Sequence, residues 1–317
     1  MNKKSQHTVN QIIETLKSQK GLSSAEQIKL FENLYFKTNQ EQSIVLIELL
    51  KIETNPGFLI YLCNTASKLN DDDTVMALVD LLLGNREIEN GDDPLKQNKE
   101  EFLKIRCTAI KALGRMKNEK ALIPLMYILN NKDENYKIRL DAAEALGRIG
   151  DSHAVTPLIN LVTDEKEKSV YVRESAAKAL GMLGDVRALK PLVKVLESKR
   201  GIVDKFTFLK EQIIESIGKL SGSIDKDTLR ALKESLMDEA PSVRLSAVEA
   251  LGDMEDRSLI KVLVPIIFDE DEDVAREAVR SIYNLDGRLE LESLLDDDNI
   301  PGWSRDEIET LFNEDSL

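Results

Sequence analysis

The stretch IRLDAAEALGRIGDSHAVTPLINLV, residues 138–162, decides the fold. A hydrophobe and a base, Ile138 and Arg139, open a run in which Ala, Leu and Ile recur three and four residues apart. That spacing lays one apolar stripe along a helix. The run reaches Leu146-Gly147, a short turn follows, and Asp151 stands four residues before Val155, an apolar residue of a second helix. The same pattern appears as IRCTAIKALG from Ile105, VRESAAKALG from Val172, LKEQIIESIG from Leu209 and VRLSAVEALG from Val243. Gly114, Gly147, Gly181, Gly218 and Gly252 fall 33, 34, 37 and 34 residues apart. A weaker sixth copy starts at Val274 without the glycine in register. A repeated period of this length marks an array of helical hairpins.

Each column of the repeat has a physical reading. Ala142, Ala143, Ala176 and Ala177 let neighbouring helices approach closely. The glycine is expected to close the first helix in the left-handed conformation. Asn118, Asp151, Asp185, Asp225 and Asp256 are expected N-caps of the second helices. Pro124, Pro157 and Pro191, early in those helices, are expected to bend them. An acid precedes the base by six in Glu100/Arg106, Asp133/Arg139, Glu167/Arg173, Asp204/Lys210 and Asp238/Arg244, and one position out of register in Glu270/Arg276.

This last column resembles the Asp/Arg ladder of HEAT repeats, whose side chains bond across turns and between neighbours, so the pairs are read as structural. A period near 34 also suits tetratricopeptide repeats, but their Trp, Tyr and Pro positions are absent. Thr156-Pro157-Leu158 echoes the ankyrin signature, yet no His-x-Ala follows. The pattern is similar to the short, bacterial HEAT-like repeat of phycobilisome lyase subunits, over residues 99–285. The resemblance implies an all-α fold, a right-handed α-solenoid, with second helices lining its concave side.

The expected organisation is a degenerate helical cap over 1–83, a polar loop over 84–98, the repeat array over 99–295 and an acidic tail over 296–317. The 317 residues are 42% hydrophobic but only 5% aromatic, which fits cores of Leu, Ile, Val and Ala. Lys plus Arg number 43 against 57 Asp plus Glu, a net charge of −14, which argues against nucleic-acid binding. Two cysteines, Cys63 and Cys107, form no metal or disulfide pattern. No run approaches the roughly 20 apolar residues that span a bilayer, so no membrane insertion and a cytoplasmic location are expected.

No catalytic constellation is legible. His7 and His153 are far apart, and the repeated His-Glu pairs of HEAT-repeat deoxyhypusine hydroxylases are absent. There is no phosphate-binding glycine loop, no nucleophile with a plausible histidine partner and no EF-hand spacing. Acid runs at 71–73, 269–273 and 296–298 read as solvated loops and caps. No metal or cofactor is expected.

What remains points to binding. Aligned second helices place Ile123, Thr156, Lys190, Arg230 and Lys261 in one column, and Tyr127, Asn160, Lys194 and Glu234 one turn on. Lys190, Lys194, Arg230, Lys233 and Lys261 are therefore expected to form a basic stripe on an acidic protein, with Tyr127 and Asn160 on the same face. Phe206, Phe208 and Trp303 are further candidate contacts. The expected function is a non-catalytic scaffold or assembly factor that grips another protein through an acidic surface. The resemblance implies two alternatives. One is a phycobilin lyase subunit, with a bilin, a phycobiliprotein and a second HEAT-like chain as partners; the other is an adaptor in iron–sulfur or other cofactor assembly.

Overall fold

A computed structural model describes residues 21–36, 38–85, 94–198, 206–220 and 225–314, together with 11, 13 and 14. The calls on His7, on Asp204 and on the loop core at 86–93 lie outside them. Among the described residues the chain is all-α: seventeen α-helices, linked by turns and short 3-10 segments, with no strand. It divides into two compact units, residues 1–154 and 155–317.

In residues 1–154 the helices are α1 (Ser24–Glu32), α2 (Asn39–Ile52), α3 (Pro56–Ala66), α4 (Asp72–Leu83), α5 (Lys99–Met116), α6 (Leu122–Asn130) and α7 (Tyr136–Ile149). First helices α1, α3, α5 and α7 pack in sequence, while α2 packs on α4 and the 3-10 turn Glu119–Ala121, which opens α6, packs on α4. In residues 155–317 they are α8 (Val155–Thr163), α9 (Val170–Leu183), α10 (Leu189–Leu196), α11 (Thr207–Leu220), α12 (Lys226–Ser235), α13 (Pro241–Gly252), α14 (Ile260–Leu263), α15 (Glu272–Asn284), α16 (Arg288–Leu294) and α17 (Gly302–Glu314). First helices α9, α11, α13, α15 and α17 form one layer and α8, α10 and α12 the facing one. Each unit is thus a stretch of α-solenoid. The core between the layers is built from the repeat's apolar stripe, including Ile138, Ala142 and Leu146 in one unit and Val172, Ala176 and Leu180 in the other, all buried.

The glycine column works differently from its expected role. Gly114 lies inside α5 and is buried, with its α-carbon facing Ala145 of α7; a Cβ there would stand 3.0 Å from the Ala145 Cα. Gly181 meets Ser216, Gly218 meets Ala250 and Gly252 meets Ser281 in the same way. Each glycine admits the small residue two places before the next repeat's glycine position, so the column sets how closely first helices stack. At that position after Ser281 stands Tyr283, whose ring instead packs on Phe312 of α17 at 6.2 Å. The left-handed helix ends fall three residues after the column, at Lys117, Gly150 and Gly184, with φ of 52°, 82° and 68°, and at Gly84 of α4, with φ of 73°.

The caps stand where expected. Carboxylate or amide oxygens of Asn118, Asp151, Asp185, Asp225 and Asp256 accept backbone N–H groups of Lys120, His153, Arg187, Thr228 and Ser258. Four of them open a 3-10 turn before the α-helix proper begins. Pro124, Pro157 and Pro191 are each the third residue of the α-helix that follows. Their missing N–H falls in the first turn, where α-helical N–H groups have no partner anyway, so no bend need be invoked. The stretch read as an acidic tail carries α17. Its Ser304 hydroxyl, buried, donates to the Ile267 carbonyl at 2.6 Å, and its Glu307 accepts from Arg276 and Arg280.

Candidate functional site

The basic residues of the second helices gather in residues 155–317. On α10, Leu192, Val193 and Val195 face the core and leave Lys190 and Lys194, four apart, on the exposed side. On α12, Thr228, Ala231, Leu232 and Ser235 are buried and Arg230 and Lys233 are exposed. Helix α10 packs between α8 and α12, so one layer carries Asn160, Lys190, Lys194, Arg230 and Lys233, all exposed. Lys261 is exposed on the short α14. Tyr127, on α6, belongs to residues 1–154 and is exposed there.

The stripe differs from expectation in its composition. Arg230 is already engaged: its guanidinium lies 2.6 Å from Glu197, joining α12 to the end of α10, and 3.1 Å from Asp227. Lys190, Lys194, Lys233 and Lys261 make no ion pair among the described residues. Lys226, exposed at the start of α12, has the same character and was missed because its column is mixed, with Glu119, Ser152, Val186 and Arg257 at the same place in other repeats. Between α10 and α12 lies an open groove of about 950 Å³, lined by Lys226, Arg230 and Lys233 and by Glu197, Glu234 and Glu239, with the Lys210–Asp238 pair at 2.7 Å in its wall. A smaller hollow of about 560 Å³ adjoins Lys261, with Ile260, Val264 and Pro265 as its apolar part and Arg257 and Glu290 at its edge.

The aromatic candidates separate. Phe208 opens α11, stacks on Tyr171 of α9 with ring centroids 5.7 Å apart, and meets Phe206 edge-on at 5.6 Å. Tyr171 was overlooked, although it and Phe208 each stand two residues before the base of their repeat. Trp303 is half-buried on α17, within the helix that ends the first-helix layer.

The ladder residues join elements both backward and forward along the chain. Arg106, Arg139 and Arg173 each donate to a last-turn carbonyl of the preceding second helix, Leu82, Leu129 and Val162, at 2.7–3.0 Å. Arg106 also holds Glu134 (2.6 Å), Lys210 holds Asp238 (2.7 Å) and Arg244 holds Asp269 (2.7 Å), each acid lying in the loop before the next first helix. The spacing of six does not itself pair these side chains. Asp133 is exposed while its neighbour Glu134 accepts the arginine, and Arg244 reaches Asp238 only at its backbone carbonyl. Glu167 is buried and accepts the Ser169 N–H. Burial pushes Glu134, Asp238 and Glu307 up, but hydrogen bonds from Arg106, from Lys210 and from Arg280 and Arg276 outweigh it and hold the carboxyls below their ordinary values.

Little else offers chemistry. Burial, then a hydrogen bond to Asp141, pushes the Cys107 thiol up to about 12, far from nucleophilic. His153 is exposed and bonded to the cap Asp151 at 2.7 Å. No three His, Cys, Asp or Glu side chains among the described residues are grouped to hold a metal ion, and no described helix is long and apolar enough to cross a membrane.

Models of HEAT repeats match residues 95–170, 124–206, 203–283 and 229–302, together most of the chain. The chain belongs to the HEAT-repeat family. No curated protein matches it in sequence. Among solved structures, this HEAT-repeat chain is similar to the karyopherin Kap121p bound to the SUMO protease Ulp1p, at 12% identity and a TM-score of 0.54, covering 95% of this chain and 36% of that one. Kap121p bound to Nup53p matches at 11% identity and 0.51, with coverages of 95% and 36%. The chain therefore spans about a third of the karyopherin's length. The complex of CpcE and CpcF of phycocyanin lyase from a Nostoc species matches at 17% identity and 0.45, covering 88% and 96%. At these identities the likeness is one of fold.

Proposed function

We propose that this HEAT-repeat chain is a non-catalytic binding scaffold or assembly factor, and that the second-helix layer of residues 155–317 grips an acidic surface of a partner protein. One observation carries the reading: Lys190, Lys194 and Lys233 are exposed on that layer, and Lys261 on the short α14, without an ion pair among the described residues, while the arginines of the first-helix columns are engaged. A lysine outside any close ion pair presents its charge to solvent, and such groups govern association rate and specificity more than raw affinity. Kap121p, a HEAT-like neighbour in fold, is seen bound to two different proteins, which supports a grip without chemistry. Lys226 and the groove between α10 and α12 extend the contact; the Tyr171–Phe208–Phe206 stack belongs to the first helices α9 and α11 and the turn before α11, and is not part of it.

The test is affinity capture with the full chain and with Lys190→Glu/Lys194→Glu, followed by titration of the captured partner. The reading predicts a partner with an acidic surface whose affinity drops by about tenfold or more on charge reversal and falls with added salt. Unchanged affinity sinks it. The phycobilin-lyase reading requires visible absorbance after co-expression with a bilin pathway, and the cofactor-assembly reading requires an iron–sulfur carrier in the capture. Either result displaces the scaffold reading.

A further inference from the structure

We infer that Glu197 is a built-in competitor for a partner's carboxylate: it occupies the acid-binding side of Arg230, which engages a ligand acid only when that acid enters the groove between α10 and α12 and displaces Glu197. The inference rests on the proposed grip of an acidic surface by this layer, and it names the residue that tunes that grip. Arg230 shares a column with Lys190 and Lys261 and lies on the same layer as Lys194 and Lys233. Unlike those lysines, it has its donors taken. Its Nε and Nη2 donate to one oxygen of Glu197 at 3.1 and 2.6 Å, and its Nη1 lies 3.1 Å from Asp227. Glu197 is the better enclosed of the two acids, 29% exposed against 70% for Asp227. Glu197, ahead of Asp227 and Glu234, also raises the Arg230 pKa. The guanidinium is still half exposed and lines the groove, so a ligand carboxylate can reach it.

Glu197 stands where a carboxylate is unfavourable. It caps the C-terminal end of α10, with its N–H bonded to the Val193 carbonyl, and the negative end of a helix favours cations. At the same place, seven residues after the Lys190 column, the other second helices carry Asn130, Thr163, Met237 and Phe268, none of them acidic. An ion pair this open to solvent adds little to stability. Its larger effect is to cancel one positive charge on a face whose lysines are unpaired. A ligand acid that replaces Glu197 on Arg230 keeps the charge-assisted hydrogen bonds of the guanidinium, so the exchange itself is nearly balanced. Negative charge spread over the face without entering the groove leaves Glu197 in place. The pair thus rejects loosely placed acids and selects a carboxylate delivered to Arg230, a specificity set by competition.

The probe is a fluorescein-labelled oligoglutamate peptide of about ten residues, long enough when extended to cross α10 and α12, titrated into the full chain at low salt by anisotropy. Glu197→Gln should tighten binding by about three- to fivefold, and the gain should vanish in an Arg230→Gln background. Glu239→Gln removes the same charge from the same groove without a bond to Arg230, and should shift affinity by one factor in both backgrounds. A gain from Glu197→Gln that persists without Arg230 overturns the inference, because it then reflects net charge alone. Weaker binding in Glu197→Gln also overturns it, because the pair then serves only to brace α10 against α12. In both cases a loss of peptide binding in Lys190→Glu/Lys194→Glu shows that the grip itself stands. No saturation up to about 1 mM, in the native chain and in Glu197→Gln alike, overturns the grip and this inference with it.

Discussion

Gly114 and Gly150 are the same residue answering two demands. At Gly114 the constraint is space, because the Ala145 backbone lies 3.0 Å from where a Cβ would sit. At Gly150 it is conformation, because nothing lies within 4 Å but φ is +82°. Gly114→Ala should therefore destabilise by about 1–3 kcal/mol through overpacking, and Gly114→Asn by more. Gly150→Ala should cost about 1–2 kcal/mol, and Gly150→Asn much less, since Asn tolerates the left-handed region. Urea unfolding of the four variants distinguishes the two causes. The positions of these glycines were legible in the sequence. The reason for the Gly114 column was not, because the residue that needs its absent side chain lies 31 positions away on another helix. Cys107 gives a second residue-level prediction: with its thiol near 12 and Cys63 buried, the folded chain should react negligibly with a thiol reagent at pH 8 within minutes, and both cysteines should react once it is denatured.

At the scale of elements, the base column welds a helix end to the next loop. Arg244 and Asp269, both under 10% exposed, are an enclosed pair of this kind. Arg244→Met should cost about 3–5 kcal/mol, because it strands a buried carboxylate, and Lys104→Met at an exposed pair should cost nearly nothing. The pairs also set the pH dependence. Glu134, Asp238 and Glu307 have depressed folded pKa values, so their contribution is fully present above the unfolded carboxylate value near 4 and is lost as pH falls below it. Glu249 is raised, by burial and then by Glu277, Asp253 and Glu215, and Glu277 is raised mainly by burial. For these two the neutral form is favoured, and stability is lost as pH rises through their folded values above 4.5. Glu249→Gln should therefore stabilise the fold at pH 7, by on the order of a few tenths of a kcal/mol and with a small rise in Tm, and leave Tm unchanged near pH 4. The sequence made the column of bases visible. It mispaired them, since the acid six residues earlier is near in chain order while the acid bonded from the next repeat comes 25, 28 or 31 residues later.

For the whole molecule, hairpins, caps and their order followed from the periodicity, whereas the binding faces followed only in part. Columns of aligned second helices located Lys190, Lys194, Lys233 and Lys261, yet could not tell that Arg230 is spent on Glu197, a contact 33 residues apart. Tyr127 was counted with the basic stripe because alignment carries no information about neighbours; it lies on α6 of residues 1–154, four residues after the exposed Ile123. The central claim is that residues 155–317 bind through their second helices. Hydrogen–deuterium exchange of the captured complex against the free chain tests it most directly. The account predicts new protection concentrated in 189–196 and 226–235, with Lys190→Glu/Lys194→Glu abolishing it. Protection confined to the first helices 207–220 and 241–252, with those second helices exchanging as in the free chain, would contradict it.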